Sequence, residues 1–386
     1  MTTEKRIKVF QLQPDYNVKR HDFADLAEQI VQALPADKFE VVSVFLRGRP
    51  IARQPVSKAE RSVYFNFSDK TLKGARLSAL WQLYQFCRRE HFDVAICNRF
   101  KPVNMMLWLN RLLRIPLCIG ISHSLGEYDR NYRRWQARTL INNRWRFVGV
   151  SPAVRQYLLD CQCGFTPDNT VSITNAIDIE QARSLLMPRK DARWKLGLPP
   201  DALIIGTIGR LVRVKGYHYL IQAFARIAEH HPNAILAFIG DGRAKHAMQE
   251  EIEKLKLQKR VLLLGARPDA LRYVRAFDIW AMPSLAEGFP LALLEAMTGE
   301  LPIIASDIPS MHDLVSSAGG QLVPPADAKT LATALDAYLK LGTEARNTLG
   351  HAAYTYLKAH HDIAEYRHTY RTLIENALEE NTRPNG

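Results

Sequence analysis

Apolar residues along the chain alternate between short unbroken runs and longer stretches at helical spacing. The short runs occupy residues 7–12, 40–46, 93–97, 117–121 and 147–150, each of strand length. Between them, residues 24–34, 72–88 and 103–113 read as helices, with Leu77, Leu80, Trp81 and Tyr84 at three- and four-residue intervals. Ser151 and Pro152 supply the cap and first-turn proline of a further helix. Apolar strands separated by helices predict a parallel, doubly wound α/β domain. The alternation breaks over residues 178–201, where the polar stretch 187–201 reads as a linker. It restarts with strand-like runs at 203–208, 234–239, 261–264, 279–282 and 303–305. Helical stretches at 219–228, 245–255 and 271–277 separate them, which predicts a second α/β domain of similar size. Residues 352–378 are helical in character, with Tyr354, Leu357, Tyr366, Tyr370 and Leu373.

The most informative stretch is 283–302, PSLAEGFPLALLEAMTGELP. Pro290 suits the first position of a helix, Leu291, Leu293, Leu294 and Met297 give it an apolar body, and Gly299 and Pro302 stop it. Glu287 then lies in the loop before the helix, and Glu295 about one and a half turns inside it. A carboxylate among so many apolar neighbours needs a hydrogen-bonding partner, either a buried arginine or the hydroxyls of a ligand.

In open parallel sheets, ligands bind beyond the carboxyl ends of the strands, which ranks the loops. After the run 203–208 comes GRLVRVKG, residues 209–216, opening a helix. Gly209 and Gly216 allow close backbone approach, and Arg210 and Lys215 add two cations near a helix N-terminus, a combination that suits a diphosphate. The loops at 240–242, 265–268 and 284–290 follow strands of the same domain and open on the same side. Carboxylates accept directional hydrogen bonds from sugar hydroxyls, which gives Glu287 and Glu295 a role beside a diphosphate.

Composition adds a second theme. The chain has 386 residues, 47% hydrophobic and 24% charged, as expected for a globular protein of two domains. No apolar window is long enough for a membrane span, and the N-terminus shows no secretory signal. Five cysteines, an odd count, suit reduced thiols in a cytoplasmic protein, and Cys161 and Cys163 lack the second ligand pair of a zinc site. The net charge of +13 is unevenly placed. Residues 1–200 carry 32 Lys+Arg against 18 Asp+Glu, whereas residues 201–386 carry 20 against 21. Nucleic acid, anionic lipid and a phosphorylated glycan all fit the basic half, as does a face that meets only solvent. Its cations include Asn98-Arg99-Phe100-Lys101 after a strand, and Arg130, Arg133, Arg134, Arg138, Arg144 and Arg146 mixed with Trp135 and Trp145. No sequence pattern of a nucleic-acid-binding module accompanies them.

Taken together, GRLVRVKG, IGDG, PSLAEGFPLALLEAM, LPIIASD and GGQLVPPAD resemble the retaining glycosyltransferases of family 4. The likeness is strong over residues 148–345, including VGVSPAV and ITNAID, and weak over residues 1–120. It implies the GT-B fold, two Rossmann-like doubly wound domains facing a central crevice. Residues 1–180 would bind acceptor, 181–355 the nucleotide-sugar, and 356–386 would form a final helix crossing back to the first domain. By the same resemblance Arg210 and Lys215 hold the donor diphosphate, Glu295 the ribose, and Glu287 lies by the donor sugar. Gly209, Gly288, Phe289, Pro290 and Leu291 complete the donor loops, and Arg267 flanks the base. His123, at a strand end in Ile121-Ser122-His123, is on its own a structural hydrogen-bond partner. The resemblance instead sets it beside the reacting sugar, so that His123, Glu287, Arg210 and Lys215 form the catalytic set. Family members carry a Gly-rich turn after the first strand, but residues 13–21 here contain no glycine, and Lys19 or Arg20 would make side-chain contacts instead.

The expected activity is metal-independent, retaining transfer from a nucleotide-diphosphate sugar, a UDP-sugar, with no further cofactor. The expected acceptor is an anionic, membrane-linked glycan or glycolipid such as a lipopolysaccharide core, met by Lys19, Arg20, Arg99 and Lys101. An enzyme of that kind would work in the cytoplasm, peripherally on the inner membrane, without binding nucleic acid. A nucleotide-sugar epimerase or phosphorylase on the same fold, and a basic nucleic-acid-binding protein, are the rival expectations.

Overall fold

The computed structural model describes residues 5–16, 25–50 and 56–382. Lys19 and Arg20 lie outside them. The chain divides into two compact units, residues 1–175 with 363–386, and residues 176–362. These divisions fall a few residues from the positions 180/181 and 355/356 marked by the sequence. Ile177 pairs with Asp362 in an isolated parallel bridge, and the Ile177 N–H donates to the His361 carbonyl at 3.1 Å. The second unit is therefore an insertion, entered and left at neighbouring points.

The first unit carries a seven-stranded sheet. Its strands are β1 Ile7–Gln13, β2 Phe39–Phe45, β3 Arg61–Tyr64, β4 Val94–Asn98, β5 Leu117–Ser122, β6 Trp145–Gly149 and β7 Thr170–Ser172. Their spatial order is β3-β2-β1-β4-β5-β6-β7, and every neighbouring pair is parallel. The central strands are buried along their length because helices cover both faces, which is why they read as unbroken apolar runs. The second unit holds β8 Leu203–Ile208, β9 Ala234–Ile239, β10 Val261–Leu263, β11 Ile279–Met282, β12 Ile303–Ser306 and β13 Gln321–Val323. This parallel sheet has the order β10-β9-β8-β11-β12-β13. Both orders reverse direction once, at β1 and at β8, the topology of a doubly wound nucleotide-binding sheet.

Several sequence expectations need correction. The polar stretch after Met187 is no linker, for Arg189–Leu196 is a helix closed by Gly197 at φ +67. Its Arg193 is 1% exposed. The guanidinium reaches the carbonyls of Ala202 at 3.0 Å and Ala276 at 2.9 Å and the Asp278 carboxylate at 2.7 Å. A polar sequence thus conceals a packed helix organised around one buried cation. The helix expected from residue 72 starts at Leu77, residues 271–277 lie in a 3-10 turn, Ala270–Ala276, and Pro290 is the cap before Leu291–Thr298 rather than its first residue. The C-terminal region is two helices, Thr343–His360 and Ile363–Thr382, interrupted at the bridge. Ile363–Thr382 belongs to the first unit, where Tyr370 and Ile374 are fully buried and Arg367 bonds Gln29 of the helix Leu26–Ala33.

Trp145 does not join an exposed basic cluster. It lies in β6 at 1% exposure, stacked on Phe147 with ring centroids 5.5 Å apart. The exposed aromatic residues of the first unit are instead Trp81, Trp108, Tyr132 and Trp135. They stand on the helices Leu77–Glu90, Phe100–Leu113 and Asn131–Leu140, which follow one another across the sheet, and the rings of Trp108 and Trp135 are 6.4 Å apart.

Candidate active site

In the second unit, the loops beyond β8, β9, β10 and β11 are stitched together by backbone hydrogen bonds. Gly209 N–H donates to Ile239 C=O at 3.0 Å, Leu211 N–H to Asp241 at 2.9 Å, and Gly240 N–H to Gly265 at 2.9 Å. Leu285 N–H donates to Val214 at 2.8 Å and so draws the loop bearing Glu287 against the loop bearing Arg210 and Lys215. Two glycines allow this approach. A Cβ on Gly240 would stand 1.8 Å from the Gly209 carbonyl oxygen, and one on Gly216, where φ is +65, would stand 2.0 Å from that of Pro283. No other residue fits either position.

Lys215 ends a 3-10 turn, Arg213–Lys215, and its ammonium donates to Glu287 Oε1 at 2.7 Å. Both side chains are largely shielded, at 14% and 13% exposure, so the pair is not a solvated surface contact. The sequence set Lys215 and Glu287 against different parts of a ligand, whereas the structure joins them. One of three ammonium donors is used, leaving two for an anion. Arg210, two residues beyond β8, is exposed and makes no ion pair with another described residue. Beneath the loop, the buried Tyr217 phenol would lie 2.6 Å from a Cβ on Gly209. Burial, and the neighbouring Glu287 charge, push it up to about 12 against the effect of a hydrogen bond with Thr207, so it remains a neutral donor.

Gly288, Phe289, Pro290 and Leu291 continue the same loop into the helix Leu291–Thr298, and Phe289 packs against His361 with ring centroids 5.3 Å apart. Glu295 is half-buried on that helix, not enclosed, so it can meet a ligand. Arg267 is exposed in the loop after β10. Thus Gly209, Arg210, Lys215, Glu287 and the residues to Leu291 are gathered on connected loops, with Glu295 and Arg267 on the adjoining helix and loop. A cavity of about 670 Å³ beside them is lined by Val212, Arg213, Tyr217, Arg243 and Met248, and takes in none of Arg210, Lys215, Glu287, Glu295 and Arg267.

In the first unit, His123 follows β5, half-buried, in a loop organised by a residue the sequence did not single out. Glu127 turns back beneath that loop. Its carboxylate accepts from the Ser122 hydroxyl at 2.6 Å, the His123 N–H at 3.4 Å and the Ser124 hydroxyl at 3.3 Å. Burial raises its carboxyl above the ordinary value, although these hydrogen bonds and the Arg99 charge oppose the shift. The spacing of Ser122, Ser124 and Glu127 was the available signal. Tyr217 left none, because a tyrosine early in an amphipathic helix reads as core.

Arg99 and Lys101 sit where β4 gives way to the helix Phe100–Leu113, with Arg99 at φ +70 in the cap position. Burial lowers the Lys101 ammonium, and the charges of Arg47 and Arg76 lower it further, while Asp15 and Asp69 act in the opposite direction. Among the described residues, no group of three or more His, Cys, Asp or Glu could hold a metal ion. All five cysteines are buried and free.

Each half of the chain matches a known family. Residues 26–181 match the model of Glycosyltransferase Family 4, and residues 188–356 that of Glycosyl transferases group 1. A UDP-Gal:alpha-D-GlcNAc-diphosphoundecaprenol alpha-1,3-galactosyltransferase from Escherichia coli is 33% identical over 62% of this chain and 64% of its own length. The lipopolysaccharide core biosynthesis mannosyltransferase LpsB of Rhizobium meliloti is 26% identical over 70% of this chain and 76% of its own. The match spans 34% to 64% of the length of the first curated relatives. In fold, the Anabaena protein HepE, solved in complex with UDP, superposes with a TM-score of 0.77 at 20% identity, covering 96% of this chain and all of that one. The two parallel sheets are those of the GT-B fold.

Proposed function

We propose that this chain, whose halves match two glycosyltransferase models and whose fold is GT-B, is a glycosyltransferase that moves a sugar from a nucleotide-diphosphate donor to a hydroxyl of an anionic, membrane-linked glycan. The observation that carries this reading is the shielded Lys215–Glu287 pair beside the unpaired Arg210, on loops held together beyond β8 and β11. Two cations there match a diphosphate leaving group, and preorganised charge of this kind stabilises what develops as the sugar departs. They stand where a divalent ion would otherwise neutralise the phosphates, which favours metal-independent transfer. Glu287 orients Lys215 and lies by the donor sugar, while Glu295 accepts from ribose hydroxyls. UDP in the HepE complex favours a UDP-sugar. Transfer would proceed with retention, the acceptor hydroxyl attacking from the face the diphosphate leaves. Within the first unit, Glu127 accepts from the His123 N–H and fixes the loop that carries His123.

The E. coli relative's name specifies a lipid diphosphate acceptor, and the Rhizobium relative's a lipopolysaccharide core. The basic first half fits such acceptors. No helix among the described residues is long and apolar enough to cross a membrane. Exposed Trp81, Trp108 and Trp135 among arginines would instead rest on the cytoplasmic face of an anionic bilayer. The decisive experiment supplies a labelled UDP-sugar with and without a lipid-linked glycan. Acceptor-dependent transfer is expected, and Arg210→Ala and Lys215→Ala should each lower turnover about a hundredfold or more. Near-wild-type rates in both variants would sink the assignment, and donor conversion without acceptor would select an epimerase.

A further inference from the structure

The first unit has a switch point of its own. β1 lies between β2 and β4, so the carboxyl ends of β1 and β4 flank the crevice where the strand order reverses. Gln13 ends β1 and Asn98 ends β4, each one residue beyond the registered pair Leu12–Cys97. Their side chains therefore stand on the same face of neighbouring strands. Both residues are buried, at 7% and 5% exposure. Gln13 Nε2 and Asn98 Nδ2 nevertheless have no acceptor among the described residues. Buried amide donors are ordinarily satisfied, and two side by side at a strand end point to a ligand.

Charge converges on the same place. The helix Phe100–Leu113 begins directly after Asn98, its cap residue Arg99 makes no side-chain cap bond, and its first amides have no acceptor within the helix. Lys101 lies in its first turn. Arg76 is held beside this helix by Asn104 Oδ1 at 3.3 Å, and Asn104 is itself fixed by Gln136 at 2.6 Å. The nearby carboxylates Asp15 and Asp69 are both engaged by Arg47. Lys101 and Arg76 are left without an ion-pair partner among the described residues.

We propose that Gln13, Asn98, Lys101 and Arg76 form an anion subsite that holds a phosphate or carboxylate group carried by the acceptor. The word acceptor rests on the glycosyltransferase reading, but the anion chemistry does not. The test uses the full chain with Arg210→Ala and Lys215→Ala, which removes the cations of the donor loops, and inorganic phosphate or acetate as probe. Either anion should raise the unfolding temperature, and the stronger of the two identifies the acceptor's charged group. Lys101→Met and Asn98→Leu should each weaken anion binding about tenfold or more, since each removes a donor to a charged ligand. Without anion, Asn98→Leu should unfold no earlier than its parent, because the buried Nδ2 donor it removes has no acceptor among the described residues. No response to either anion, or unchanged affinity in both variants, overturns the subsite. UDP binding by the wild-type chain is measured alongside. UDP binding without an anion response fails the subsite alone, whereas an anion response without UDP binding keeps the subsite and fails the glycosyltransferase reading.

Discussion

At the scale of single residues, a few buried charges decide most of the chemistry and some of the stability. Arg193 donates to the carbonyls of Pro200, Ala202 and Ala276 and to the Asp278 carboxylate from a site that is 1% exposed. Removing one partner of a buried pair leaves the other uncompensated, so Arg193→Ala should cost about 3–5 kcal/mol in a urea titration. Arg189 binds the same Asp278 from a 49% exposed position, and Arg189→Ala should cost under about 1 kcal/mol. Equal losses would refute this ranking. Glu127 gives a test in pH. Its folded carboxyl is raised above the ordinary 4.5, so the folded chain holds that proton more tightly than the unfolded chain does. Its contribution to stability therefore falls as pH rises from 4.5 through the folded value. Glu127→Gln lacks this titration and should gain on the wild type as pH rises through that window. Urea midpoints separated by a constant amount at every pH would contradict it. The grouping of Arg210, Lys215 and Glu287 on loops of one sheet, with Glu295 on the adjoining helix, was legible because strand-end loops of a parallel sheet open on one side. The Lys215–Glu287 bond was not, since residues 72 positions apart meet only through the backbone contact between their loops.

Among elements, legibility followed burial on both faces. The central strands β1, β2, β4, β5, β8, β9, β11 and β12 are mostly apolar and read as strands from the sequence. Of the four edge strands, β10 was legible as an apolar run, whereas β3, β7 and β13 are short and partly exposed, and nothing in their sequence separates them from loops. The helix Asn131–Leu140 buries only Ala137 and Leu140 and was read as a charge cluster. Arg189–Leu196 was missed for the opposite reason, because its core contact is an arginine. The tight crossing of the loops after β8 and β11 offers the prediction proper to this scale. Gly216→Ala sets a Cβ 2.0 Å from the Pro283 oxygen at a left-handed φ, so the two loops must separate. A loss of more than about 1 kcal/mol is expected, together with weaker UDP binding by calorimetry. Wild-type affinity in that variant would mean that the loop contact does not shape the proposed UDP site.

For the molecule as a whole, charge and exposed aromatic surface lie in the same unit. Residues 1–200 carry +14 (32 − 18) against −1 (20 − 21) for the rest, and the first unit bears Trp81, Trp108 and Trp135 at the surface. Co-sedimentation with vesicles should rise with anionic lipid content and fall with salt, and Trp81→Ser with Trp135→Ser should reduce it at either ionic strength. Binding indifferent to lipid charge would remove the membrane reading. The bridge between Ile177 and Asp362 has a consequence for synthesis. Ribosomes deliver residues 176–362 as a continuous block, whereas the first unit is divided by it and waits for Ile363–Thr382, whose Tyr370 and Ile374 complete its interior. The domain begun first is thus finished last. A nascent chain released near residue 362 would carry a second unit able to fold tethered to a first unit that still lacks Tyr370 and Ile374, and so exposes apolar surface until Ile363–Thr382 emerges.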